Sequence, residues 1–188
     1  MANSGSETTD NRTAAQILSD RANAELITKF YEAFALRDAE TMVSCYHPDV
    51  VFRDPAFGVL RGEQAADMWR MLCKIGKDLK VRFNNVEVHG GRGQAHWEAD
   101  YTFFTKLKVH NVVDAEFDFA DGLIIRHTDS FDFSRWAAQA FGPPGFVIGK
   151  VPVVPRLIMQ TMGRSQLARF SAARAQSATR AESTRSDS

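Results

Sequence analysis

The sequence predicts an α+β fold: a cone-shaped, curved antiparallel (mixed) β-sheet packed against three N-terminal helices, with a C-terminal helical extension. Three observations predict it. Apolar residues recur at the helical period of 3.6 from Ala24 to Ile75. From Lys80 onward the period changes to 2, and Gly90-Gly91 and Asp121-Gly122 punctuate that half as hairpin turns. Helices followed by hairpin-linked strands place the helices on one face of an antiparallel sheet, and a strongly curved sheet covered this way encloses a cavity.

Residues 1–20 are rich in Ser, Thr, Asn and Asp and poor in large apolar groups, so they read as a tail with at most a helical turn at Ala14–Leu18. Ala24–Leu36 carries Leu26, Ile27, Phe30, Tyr31 and Phe34 on one face of a first helix. A second, shorter helix covers Ala39–Tyr46 with Met42, Val43 and Tyr46 on its face, and His47-Pro48-Asp49 stops it. Val50–Asp54 is a short strand ended by Pro55. After a turn at Gly62, a third helix, Glu63–Ile75, presents Ala66, Met68, Trp69 and Leu72. Lys80–His89, Gly93–Thr105, Lys108–Phe119 and Leu123–Phe133 are the alternating strands.

Beyond Phe133, no acid occurs before Ala175, whereas Arg135, Lys150, Arg156, Arg164, Arg169 and Arg174 do. This stretch predicts a helix near Trp136–Phe141, a loop around Pro143-Pro144, Pro152 and Pro155, and a basic amphipathic helix from Arg156 to Ala173. Such an extension docks on the core or a sister subunit, or meets an anionic membrane surface. The expected organisation is therefore a tail at 1–20, one domain at 21–135, the extension at 136–175 and a second tail at 176–188.

Composition narrows the partners. The 188 residues are 44% hydrophobic with 14 Phe and 3 Trp, ample for one core. Lys+Arg and Asp+Glu both number 23, which removes the electrostatic footprint of a nucleic-acid binder. Neither a membrane-spanning run nor a leader is visible, so a cytoplasmic location is expected. Cys45 and Cys73 stand apart in apolar helical surroundings and read as buried thiols. No tight His/Asp/Glu cluster exists beyond His127-x-Asp129, and Gly90-Gly91-Arg92-Gly93 lacks the lysine and helix of a phosphate loop, so neither metal nor cofactor is expected.

Strand parity sorts the remaining candidates. Trp97, Ala99, Tyr101 and Phe103 share a face of one strand, and Asn111, Val113, Ala115 and Phe117 share a face of the next. Asp114, Glu116 and Asp118 then take the opposite face, while His89 and His110 read as solvated. On the last strand Ile125, His127, Asp129 and Phe131 alternate with Arg126, Thr128, Ser130 and Asp132. A carboxylate such as Asp129 is costly in an apolar cavity unless paired, with His127 or Arg53 as the available partners. Asp54, ahead of Pro55, is either a turn brace or a functional carboxylate.

Three segments, Ile27–Asp38 (ITKFYEAFALRD), Val50–Trp69 (VVFRDPAFGVLRGEQAADMW) and Ala115–Asp132 (AEFDFADGLIIRHTDSFD), together with the helix–strand–helix–sheet order, resemble the nuclear-transport-factor-2-like superfamily, within it the SnoaL-like and ketosteroid-isomerase-like branch. The resemblance implies that Asp54 of Arg53-Asp54-Pro55 occupies the place of the isomerase base. It puts Phe30 where the isomerases carry an oxyanion-binding Tyr, with Tyr31 one residue on and turned by about 100° on the helix. The isomerases' strand Asp falls on Asp114 by the hairpin glycine, or on Ala115 by the apolar pattern, and the apolar pattern is the better guide. The family's last hairpin points the His127 set inward, and SnoaL-like cyclases use an Asp of this H-x-D arrangement as acid or base. The Asp–Arg–Asp set of epoxide hydrolases of this fold finds only Asp54, Arg53 and Asp129, at poorly matching positions. Pairing through the outer sheet face makes a homodimer the expected assembly.

The expected function is thus a cofactor-independent enzyme of isomerase or cyclase type, moving protons on a small apolar carbonyl compound. Asp54 or Asp129 removes the proton and His127 tunes or relays it. Tyr31, Trp69, Trp97, Tyr101, Asn111, Phe117 and Phe131 line the cavity. The alternative is a non-catalytic module of the same fold that binds a hydrophobic ligand or dimerises.

Overall fold

The computed structural model describes residues 13–142 and 154–186. Helix α1 (Ala14–Leu36) starts at Ala14, not Ala24, and so takes in the end of the expected tail. A capping box explains the early start: Gln16 N–H donates to the Thr13 hydroxyl while the Gln16 side chain accepts from Thr13 N–H. One turn later the Asp20 carboxylate accepts the Gly90 and Gly91 N–H groups at 3.0 and 2.9 Å, tying the helix to a hairpin turn. Short-range propensity carries no trace of that contact.

Helix α2 (Ala39–Ser44) ends sooner than its apolar pattern predicts, because Tyr46 already belongs to strand β1 (Tyr46–Asp54). Pro48 sits where the register shifts between Tyr46 and Val51, a bulge that needs no ladder hydrogen bond from it. Strand β2 (Gly58–Arg61), a short piece too brief for periodicity to reveal, folds back on β1. Helix α3 (Glu63–Ile75) follows, then β3 (Lys80–His89), β4 (Arg92–Thr102), β5 (Lys108–Ala120) and β6 (Leu123–Ser130).

The six strands lie in the order β2-β1-β6-β5-β4-β3. All neighbours are antiparallel except β1 and β6, which run parallel, so the sheet is mixed. Ala95, Trp97, Ala99, Val113, Ala115 and Phe117 face inward against Ile27, Phe30, Tyr31, Phe34, Met68 and Trp69 of α1 and α3. The fit is close at Gly93, where an added Cβ would lie 2.7 Å from Ile27 Cδ1 and 3.0 Å from Phe119 Cζ.

Parity reads β4 and β5 correctly: Ala115 is buried, and Asp114 points outward to His96 at 2.7 Å. On β6 the register shift between Asp118 and Phe119 moves the buried place from Ile125 to Ile124. His110, expected in solvent, is half-buried on the outer face and bonds Asp100 at 2.8 Å. It joins Arg82, Glu98 and His96 in a network carrying both signs of charge.

Past β6, Asp132 caps α4 (Phe133–Phe141) through the Ser134 and Arg135 N–H groups. Phe133, Trp136, Ala137 and Ala140 form a second small core with Val109. Here β5 runs beyond its pairing with β6, and Gln139 supplies the missing strand: its Oε1 accepts His110 N–H and its Nε2 donates to His110 O. The last helix, α5 (Val154–Ser186), extends past the predicted Ala173 and through the expected tail. Leu167 is buried against the core, and Arg174 bonds Glu63 and Asp67 of α3. The loop expected around Pro143-Pro144 and Pro152 lies outside the described residues.

Candidate active site

Strand β6 delivers two polar side chains to the apolar interior, His127 with no exposure and Asp129 at 5%. Both are accounted for by hydrogen bonds, as buried polar groups must be. Trp69 Nε1 donates to Tyr46 Oη at 2.8 Å, and Tyr46 Oη lies 2.7 Å from His127 Nδ1. His127 Nε2 lies 2.9 Å from Asp129 Oδ1, which also accepts Trp97 Nε1–H at 3.2 Å. For a neutral imidazole every proton has one place in this chain. The Tyr46 hydroxyl, already an acceptor from Trp69, donates to Nδ1, and Nε2–H donates to the Asp129 carboxylate.

Rings enclose His127 on several sides: Trp69 is stacked at 6.0 Å, Phe117 is tilted at 4.4 Å, and Phe30 and Phe52 stand edge-on. The histidine is therefore placed behind Asp129, holding it, with both ring nitrogens committed. Trp69 and Phe117, predicted as lining, are packed into this shell. The Asp129 partner is His127 and not Arg53, which is exposed one residue from Asp54 on β1. The Asp–Arg–Asp arrangement is not assembled.

Asp54 ends β1 at the turn into β2. Its Oδ1 accepts Phe57 N–H at 2.5 Å, a bond that braces the turn. Burial of the carboxyl pushes its pKa up to about 7, against the Phe57 bond, which lowers it, and with the charge of Asp129, which raises it further. The two carboxylates thus lie within electrostatic reach of one another although they come from different strands.

Tyr101 of β4 stands in the same field. Its hydroxyl accepts Trp136 Nε1–H from α4 at 2.8 Å, which leaves its own proton free to donate elsewhere. Burial pushes this phenol up to about 12, with the Asp54 charge adding to the shift and the Trp136 bond opposing it. Phe131 packs at 6.2 Å on the Trp136 ring. Asn111 faces inward at 9% exposure. Tyr31 is fully buried, and its hydroxyl has no hydrogen-bond partner among the described residues. Desolvation holds that phenol well above its ordinary pKa, with the Asp129 charge contributing. Among the described residues no group of three or more His, Cys, Asp and Glu side chains is placed to hold a metal ion.

The model of the SnoaL-like domain family matches residues 27–127, more than half of the chain. The chain belongs to the SnoaL-like domain family. The solved structures similar to this SnoaL-like protein include a candidate SnoaL-like polyketide cyclase from Jannaschia sp. CCS1, at 17% identity over 71% of this chain and 99% of that one, with a TM-score of 0.59. An LEH-like epoxide hydrolase from M. tuberculosis is 21% identical over 73% and 95%, with a TM-score of 0.53. A protein of ketosteroid isomerase-like fold from Catenulispora acidiphila DSM 44928, in complex with trimethylamine, is 14% identical over 62% and 92%, with a TM-score of 0.54. At these identities the likeness is one of fold. A search of the curated proteins finds no match.

The SnoaL-like match stops at His127, so Asp129 and Trp136 reach the site from outside it. Sequence reasoning missed two contributors. The helical period puts Tyr46 on a helix face, and only its parallel register opposite Ile124 brings its hydroxyl to His127. The sequence marks Trp136 only as the start of a helix in the extension, and no local signal ties it to Tyr101, 35 residues away in sequence.

Proposed function

We propose that this SnoaL-like protein is a cofactor-independent enzyme that isomerises or cyclises a small apolar carbonyl compound by acid–base proton transfer. One observation carries the reading: the Asp54 carboxyl, pushed up to about 7, lies within electrostatic reach of the Tyr101 hydroxyl, which accepts Trp136 Nε1–H and keeps its own proton to donate. A carboxylate with its pKa near 7 is matched to taking a proton from carbon at neutral pH.

In the proposed reaction Asp54 removes a proton from the carbon next to the carbonyl. The electron pair moves into the C–O unit, and the Tyr101 O–H donates a hydrogen bond to the oxygen as charge builds there. The proton held on Asp54 then returns to a different carbon, giving an isomer. In a cyclisation the carbanion instead attacks a second carbonyl of the same molecule, and the alkoxide formed takes the proton. Asp129, fixed by His127 and Trp97, keeps a second acceptor at a set position. Asn111 and Tyr31 supply polar contacts for the rest of the molecule.

The test is deuterium uptake at the α-carbon of steroid, polyketide and terpenoid ketones in D2O, followed by NMR. Uptake by the wild type should rise with pH to a plateau above about 7, as Asp54 ionises. Asp54→Asn should slow it by about 10²–10⁴-fold with ligand affinity retained. An Asp54→Asn protein that exchanges as fast as wild type overturns the assignment. Binding without any exchange supports the alternative of a ligand-binding module.

A further inference from the structure

Helix α5 meets the domain at two places. Towards its C-terminal half Arg174 bonds Glu63 and, at 2.7 Å, Asp67 of α3. Nearer its start three residues in succession seize the turn between β1 and β2. Gln160 Nε2 donates to Pro55 O at 3.4 Å, Gly163 lies against the Phe57 ring, and Arg164 donates from Nε to Phe57 O at 3.0 Å and from Nη2 to Val59 O at 2.7 Å. A glycine inside a helix costs about 1 kcal/mol relative to alanine. Here a Cβ on Gly163 would lie 3.1 Å from Phe57 Cδ1 and Cε1, so a larger residue would have to push the Phe57 ring aside by a few tenths of an ångström.

The grip falls on the peptide that holds Asp54. Phe57 gives its N–H to Asp54 Oδ1 and its carbonyl to Arg164, so one residue links the carboxylate to α5. The same guanidinium caps β2, an edge strand whose carbonyls would otherwise be open to water or to another chain. A planar fork with several donors suits two carbonyls bracketing a turn, and a lysine could serve only one of them well.

We propose that Arg164 is a positioning residue for Asp54, and that α5 is a strap which holds the β1–β2 turn in the geometry that keeps this carboxylate oriented and shielded from water. The inference rests on the reading of Asp54 as the base, but its test does not need a substrate. In full-length protein, amide hydrogen exchange of Phe57 and the ¹³C carboxyl titration of Asp54 are followed by NMR in wild type, Arg164→Gln, Arg164→Lys and Arg174→Gln.

In Arg164→Gln, exchange of the Phe57 amide should speed at least about tenfold, and the Asp54 midpoint should fall toward the ordinary carboxylate range as water reaches it. Arg164→Lys should recover part of both effects. Arg174→Gln, which loosens only the distant contact, should leave both near wild type. If Arg164→Gln does not fold, Arg164→Lys against Arg174→Gln makes the same comparison. Folded Arg164 variants with wild-type Phe57 exchange and an unmoved Asp54 midpoint overturn the proposal. Loss of the base assignment is a separate outcome, seen only as full α-proton exchange activity in Asp54→Asn.

Discussion

At Asp54 the bond that braces the turn and the burial of the carboxyl pull its proton affinity in opposite directions. The Phe57 N–H favours the carboxylate, while burial favours the acid and wins, leaving the pKa at about 7 against an ordinary value of 3.8. The consequence for stability has a definite sign. Between those two pH values the folded protein binds more protons than the unfolded chain, so stability falls as pH rises from about 4 to about 7. Asp54→Asn removes this titration. Its stability by urea unfolding should change less across that window than the wild type's, and relative to wild type the variant should gain on the order of 1–3 kcal/mol on going from pH 4 to pH 8. Equal pH profiles for the two proteins would mean that Asp54 is hydrated when folded. His127 shows the other way to keep a polar group in an apolar place: each ring nitrogen is given a partner and the surroundings are filled with rings.

At the scale of elements, tightness of fit decides what can change. Strand β4 passes under α1 at Gly93 with no room for a methyl group, and the nearest obstacles are core side chains, Ile27 and Phe119. Gly93→Ala should therefore destabilise the fold by about 1–3 kcal/mol through overpacking, read as a lower urea midpoint at unchanged slope. Element types were legible because period is a local property: the switch from 3.6 to 2 marks the end of α3, and Glu63–Ile75 and Lys80–His89 match their predicted bounds. What escaped is what depends on distant partners. The extra turns of α1 are fixed by Asp20 on the Gly90-Gly91 turn, although the Thr13-x-x-Gln16 capping box was there to be read. Tyr46 belongs to β1 because a parallel neighbour, β6, holds it there.

Across the whole molecule the two sheet faces divide the labour. The inner face carries the candidate site, and the outer face carries Arg82, His96, Glu98, Asp100, His110 and Asp114 in a row of ion pairs of both signs. Such a row can be matched by its own two-fold copy, and it is the face through which the homodimer expected from the sequence would form. Sedimentation velocity should give twice the mass of the 21.0 kDa chain, with Glu98→Arg shifting the protein toward monomer. A wild type that sediments as a monomer would discard the interface. The sequence by itself determined the fold class and the parity that buries Trp97, Asn111, Phe117, His127 and Asp129, with the inward sense of the last strand coming from the family resemblance. Periodicity and strand parity are carried by near neighbours, and so is the motif around Pro55. Only the tertiary structure decided that His127 stands behind Asp129, that Trp136 orients Tyr101, and that Arg164 grips the Asp54 turn. Those partners are joined by sheet register and helix docking, which bring together residues far apart in the chain through energies that no local stretch contains.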